Sequence, residues 1–82
     1  MKVVIKHEVY RVKNGIAARS TELGLAAHGQ SEDLAVRNLR SGVAAFFASA
    51  QRDGRLIDQL ERLRLRFEDD GEPSLNIATE GI

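Results

Sequence analysis

The apolar period of this chain changes at Gly29-Gln30-Ser31, from two residues to about 3.6. Before that point apolar and polar residues alternate, as strands with one buried face require. After it they recur at three and four, as a helix facing a core requires. Neither kind of element buries its apolar side alone, so the helix has to lie on the sheet. The expected class is α+β.

Val3, Ile5 and Val9 share one face of a strand over residues 2–12, with His7 among them. Val4, Lys6, Glu8, Tyr10 and Val12 share the other. Asn14-Gly15 offers the positive φ angles of a type I′ hairpin, which returns a second strand over residues 16–21. Glu22-Leu23-Gly24 turns the chain again into a third strand over 25–28, completing an antiparallel meander. Gly29 leads into Ser31, whose hydroxyl suits an N-cap, and Glu32 and Asp33 place negative charge in the first turn. Ala35, Val36, Leu39, Gly42, Val43, Phe46, Phe47 and Ala50 fall within one arc, which predicts a helix over 32–52 ending at Asp53-Gly54.

Leu56, Ile57, Leu60 and Leu63 predict a short second helix, and the alternation from Leu63 to Glu68 a fourth strand. The order is β-β-β-α-α-β, with both helices on one face. The fourth strand lies beside the first, and parallel to it through a right-handed crossover. Residues 1–68 make the domain. Residues 69–82 form an acidic tail, read either as a short edge strand through Leu75 and Ile77 or as disordered. This architecture leaves the sheet face that carries Val4, Tyr10 and Val12 without cover from the chain itself. An uncovered apolar surface is a place for a partner.

Composition narrows the function. At 82 residues the chain buries about 60–65% of its unfolded surface, a thin core that association would extend. A homo-oligomer is therefore expected. Cysteine is absent, which removes disulfides and thiolate metal sites and suits a reducing compartment. Charges break every apolar run of the first thirteen residues, so they read as neither signal peptide nor membrane span. The cytoplasm is the expected location, with no membrane partner. Five of the twelve acids (Glu68, Asp69, Asp70, Glu72, Glu80) follow Phe67 with no base among them, leaving seven against all twelve bases before them. A neutral whole is a poor binder of polyanions.

Residues 15–39, GIAARSTELGLAAHGQSEDLAVRNL, resemble the HicB-like family, the antitoxin half of a bacterial toxin–antitoxin pair. The resemblance is carried by Gly15, Ala18, Glu22, Leu23, Gly24, Gly29, Ala35, Asn38 and Leu39, with Ser31 in place of the family's capping Thr and Asp33 in place of its first Glu. Thr21, Gln30 and Leu34 depart from the usual Pro, Asp and second Glu. The resemblance implies a β-β-β-α-β domain like a truncated ribonuclease H fold. It also implies inhibition of a small HicA-type toxin that cleaves RNA. Full antitoxins of this kind carry a second, DNA-binding domain; only fifteen residues follow Phe67 here, too few and too acidic for one, so direct DNA binding is not expected.

No reading of the residues favours chemistry. His7 and His28, on the first and third strands, would lie about 9–10 Å apart, too far to share an ion. A two-metal nuclease needs converging carboxylates, and Glu8 is the one acid on a central strand. Glu32 and Asp33 are accounted for by the helix start. No cofactor, metal or catalytic residue is expected, and a nuclease is the weakest of the rivals. Ser41, Ala44, Ala45, Ala48 and Ser49 make a small-residue helix face, read either as plain helix formers or as a close contact between subunits; the bare sheet face, or edge pairing through the final strand, is the opposing reading of the oligomer contact. Glu68, Asp69, Asp70 and Glu72 are read as a phosphate mimic for a basic toxin surface, or as a solubilising end. The main expectation is a non-catalytic antitoxin domain. The alternative is a solitary structural or regulatory binding domain, oligomeric and without a toxin partner.

Overall fold

Alternation along Lys2–Val12 produces β1, in which Val3, Ile5 and His7 are buried and the even-numbered residues are half-buried or exposed. The computed structural model describes every residue from Met1 to Ile82. Gly15–Ser20 form β2 and Ala26–Gly29 form β3, each antiparallel to the strand before it. Val12 pairs with Gly15, so Lys13 and Asn14 make the turn. Arg64 is the only residue other than glycine with positive φ, so the turn is not type I′. Gly15 is demanded by packing instead: a Cβ there would sit 2.6 Å from the Gly29 carbonyl oxygen.

Gly29 is constrained in the same way, because a Cβ on it would lie 2.5 Å from the Ala35 nitrogen. The missing side chain lets β3 run straight into α1, Glu32–Arg52. The Ser31 hydroxyl accepts the Leu34 N–H at 3.2 Å, as an N-cap should. Ala35, Leu39, Val43, Phe47 and Ala50 are buried against the sheet. Gly42 and Phe46 are not: they lie at the margin of the stripe, and Phe46, 42% exposed, borders a cleft toward the next helix. Gly54 (φ +70°) closes α1, with Gly54 and Arg55 N–H donating to the Gln51 and Ala50 carbonyls. This is a Schellman cap.

The short helix α2 spans Leu56–Arg62 and ends on the same motif, but with Arg64 (φ 58°) in the left-handed position. Arg64 and Leu65 N–H donate to the Glu61 and Leu60 carbonyls. Arg66–Glu68 then form β4 and Asn76–Gly81 form β5. β4 does lie beside β1, over Lys2–Val4, but it is antiparallel and not parallel. The reason is the second helix. α1 returns the chain to the start of β1, α2 carries it partway back, and the strand that follows must descend. The parallel partner of β1 is β5, paired from Lys2–Asn76 to His7–Gly81.

β1 therefore has three partners in a five-stranded sheet. The Met1 and His7 carbonyls accept from Asn76 and Ile82, so odd-numbered groups of β1 face β5 and even-numbered ones face β4 and β2. In the gap between β4 and β2, the Lys6 N–H is taken by the Glu22 carboxylate at 2.7 Å. The segment between β4 and β5 wraps the amino terminus: the Met1 amine donates to the Asp70 carboxylate and to the carbonyls of Glu72 and Ser74. The Gln51 amide holds the Pro73 carbonyl at 3.2 Å. The core joins Val3 and Ile5 of β1, Ala18 of β2, the α1 stripe, Leu56 and Leu60 of α2, and Leu65.

Candidate docking surface on the open sheet face

Both helices pack on the face of β1 that carries Val3 and Ile5, so the even-numbered residues of β1 look outward from the other side. Register assembles that side in rows. Tyr10, Ala17 and His28 line up across β1, β2 and β3, and Glu8, Arg19 and Ala26 form the row below. Farther along β1, Val4 lies between Arg66 of β4 and Ala78 of β5, and Lys2 between Glu68 and Asn76.

The surface is a mosaic with an apolar end. Tyr10 is 44% exposed, while Ala17 beside it is fully covered by its flanking neighbours. Val12, half-buried, borders a depression of about 510 Å³ walled by Lys13, Asn14, His28 and Gln30. Charge fills the middle: Arg19 pairs with Glu8, and Arg66 with Glu80 at 3.1 Å, both exposed. Opposite charges across strands neutralise this face and hold its side chains in place.

The six residues expected to meet a partner fall in two places. Tyr10 and Val12 sit at the far end of β1, about 20–27 Å from Val4 at 3.3 Å per residue. Val4, Glu68, Asp69 and Asp70 belong to the other end, where Glu68 pairs with Lys2. Two of the acids are occupied with their own turn. The Asp69 carboxylate accepts the Gly71 N–H, and Asp70 accepts the Glu72 N–H together with the Met1 amine. The hydrogen bond from the amine, then that from the Glu72 backbone, holds the Asp70 carboxyl below the ordinary carboxylate range.

Of the turn and cap residues, Gly15, Gly24, Gly29, Ser31 and Gly54 stand at turns or strand–helix junctions, and Asn14 is a turn residue with ordinary φ. His7 and His28 lie on opposite faces of the sheet. His7 is 8% exposed with its Nδ1 unpartnered, and no group of three or more His, Asp or Glu side chains is placed to hold a metal. No helix is long and apolar enough to cross a membrane.

One feature escaped the sequence: the cleft of about 260 Å³ between α1 and α2, lined by Phe46, Ser49, Arg55, Gln59 and Arg62. The arc that placed Phe46 in the core gave no sign that the sheet stops short of it. Of the two readings of residues 69–82, the structure has the edge strand, over Asn76–Gly81. No family model matches the chain, and no curated protein or solved structure does either.

Proposed function

We propose that this chain is a non-catalytic, cytoplasmic binding domain of the HicB-like antitoxin kind, which docks a small HicA-type RNA-cleaving toxin on its open sheet face. The observation that carries the reading is Tyr10, an aromatic ring 44% exposed on a face without helices, beside the depression at Val12. A rigid aromatic next to a concavity is the usual anchor of a protein interface. The paired charges on the same face, Arg19 with Glu8 and Arg66 with Glu80, suit a protein partner better than a phosphate backbone.

Co-expression with a neighbouring reading frame for a basic chain of about 60–80 residues, the size of one small domain, tests the reading. Rescue of growth and co-purification are expected, and Tyr10→Ala is expected to weaken both at least tenfold with the fold intact. Rescue unchanged by that substitution removes this face from the proposal. The second reading, a solitary regulatory or structural domain, is favoured by one observation: Asp70 is bound to the Met1 amine and is not free to imitate a phosphate. A genome context without such a reading frame would support it.

A further inference from the structure

The sheet is bounded by β3 and the three-residue β4 on one side and by β5 on the other, and β3 and β5 are treated differently. In β3 the groups of Ala26 and His28 point outward, since Leu25 accepts from Ser20 and Ala27 pairs with Ala18. The outward His28 carbonyl is taken by the Asn38 amide at 2.8 Å. β5 has no counterpart. Its even-numbered groups face β1, because Asn76 and Ile82 donate to the Met1 and His7 carbonyls, and its one strand partner is β1. The N–H and C=O groups of Ile77, Thr79 and Gly81 therefore point away from the sheet. An uncapped edge of this length is a template for another strand.

We infer that a second copy of this chain occupies that edge, β5 against β5, antiparallel about a two-fold axis at Thr79. This register uses every outward group: Ile77 lies opposite Gly81 of the second copy, and Thr79 opposite its own equivalent. It is isologous and closes on itself, so it ends at a dimer. Glu80 falls opposite Ala78, and no like charges oppose each other across the new pair. Ile82, 75% exposed after the strand ends, falls opposite Asn76 and gains cover.

Charge selects a second copy over an unrelated strand. Thr79 borders a crevice of about 400 Å³ that it shares with His7 and with Asp33, Arg37 and Arg40 of α1. The axis at Thr79 runs the two α1 helices antiparallel on either side of the paired strands. The acidic first turn of each then faces the Arg37–Arg40 turn of the other. No ion pair within the chain uses Asp33, Arg37 or Arg40. A net charge of zero does not oppose self-association. The contact lies on the edge and not on the Tyr10 face, so it stands independently of the toxin.

Sedimentation equilibrium and amide exchange on the full chain test the proposal. The expected mass is twice the 9.0 kDa of one copy. The amides of Ile77, Thr79 and Gly81 should exchange at least tenfold more slowly as concentration rises, while those of Ala78 and Glu80, bonded to β1 in either state, stay constant. Thr79→Pro deletes one outward N–H and no bond to β1; at least a tenfold weaker dimer is expected. Should that chain fail to fold by circular dichroism, Arg40→Asp decides. It sets acid against acid and weakens the dimer several-fold, and Asp33→Arg added to it restores association. A single-copy mass at every concentration, slowed amides confined to β3 or to the Tyr10 face, or a dimer indifferent to Arg40→Asp would each overturn it.

Discussion

Two of the strands that bound this sheet, β3 and β5, differ in length and are treated in opposite ways. β3 is four residues long, passes directly into α1 at Gly29, and has its outward His28 carbonyl capped by Asn38. β5 is six residues long and has no side chain bonded to its outward groups. An edge can be kept from pairing by shortening it and covering it, and β3 has both devices. The difference shows that the same five-stranded sheet is protected at β3 and left available at β5. Its open side coincides with the crevice under α1 where unpaired charges of both signs gather.

The sharpest way to break the comparison is the same substitution on both edges. Gly29→Ala drives a methyl to about 2.5 Å from the Ala35 nitrogen, a backbone atom that cannot step aside without moving α1. A loss of about 3 kcal/mol is expected, as for a severe overpacking change. Gly81→Ala meets only the His7 Nε2 at 3.8 Å, an ordinary contact, and should leave stability within about 0.5 kcal/mol. Urea unfolding of the two variants checks this. Equal losses at both positions would mean that the β3–α1 junction is less tight than the structure has it.

A smaller effect probes the cap itself. Asn38→Ala leaves the His28 carbonyl to solvent and removes one exposed hydrogen bond, at a cost of about 0.5–1 kcal/mol. The informative reading is not the stability. With the cap gone, the outward His28 carbonyl is open as well, and the variant should self-associate more readily than the parent at the same concentration. Light scattering as a function of concentration detects it. A variant that is equally destabilised but no stickier would show that the shortness of β3, and not Asn38, protects that edge.

Most of the architecture was legible because each element announces itself locally. The alternation in β1, the Ser31 cap and the Gly54 stop fix strand and helix bounds within a residue or so. What was not legible came from contacts between elements. Gly15 looked like a turn residue and is a packing residue, because its constraint is a carbonyl fourteen positions away. Phe46 fits the buried arc of α1 but outruns the elements that would cover it. The direction of β4 depended on how far α2 carries the chain back, which no period encodes. For the candidate surface, the alternation placed Val4, Tyr10 and Val12 on one face; it could not show that charged rows separate Val4 from the other two.

The smallest expected effect concerns what holds β5 in place before anything pairs with it. Residues 70–74 are tied to the Met1 amine through the Asp70 carboxylate and the Glu72 and Ser74 carbonyls, so the strand leaves this loop already beside β1. The amine and the Glu72 N–H lower the Asp70 pKa in the folded chain. A carboxylate with a depressed folded value contributes stability above its unfolded value, near pH 4, and loses it as the pH falls through the lower folded value. The parent should therefore lose stability across that acid window, and Asp70→Asn should show a flatter profile there with a slightly lower thermal midpoint at neutral pH. The group is open to solvent, so salt should shrink the difference. Native-state exchange adds the link to the edges: in Asp70→Asn the Asn76 amide, bonded to the Met1 carbonyl, should open more often, while the β3 amides keep their parental rates. If the β3 amides loosened equally, the Asp70 contact would be stabilising the whole domain and not positioning one edge.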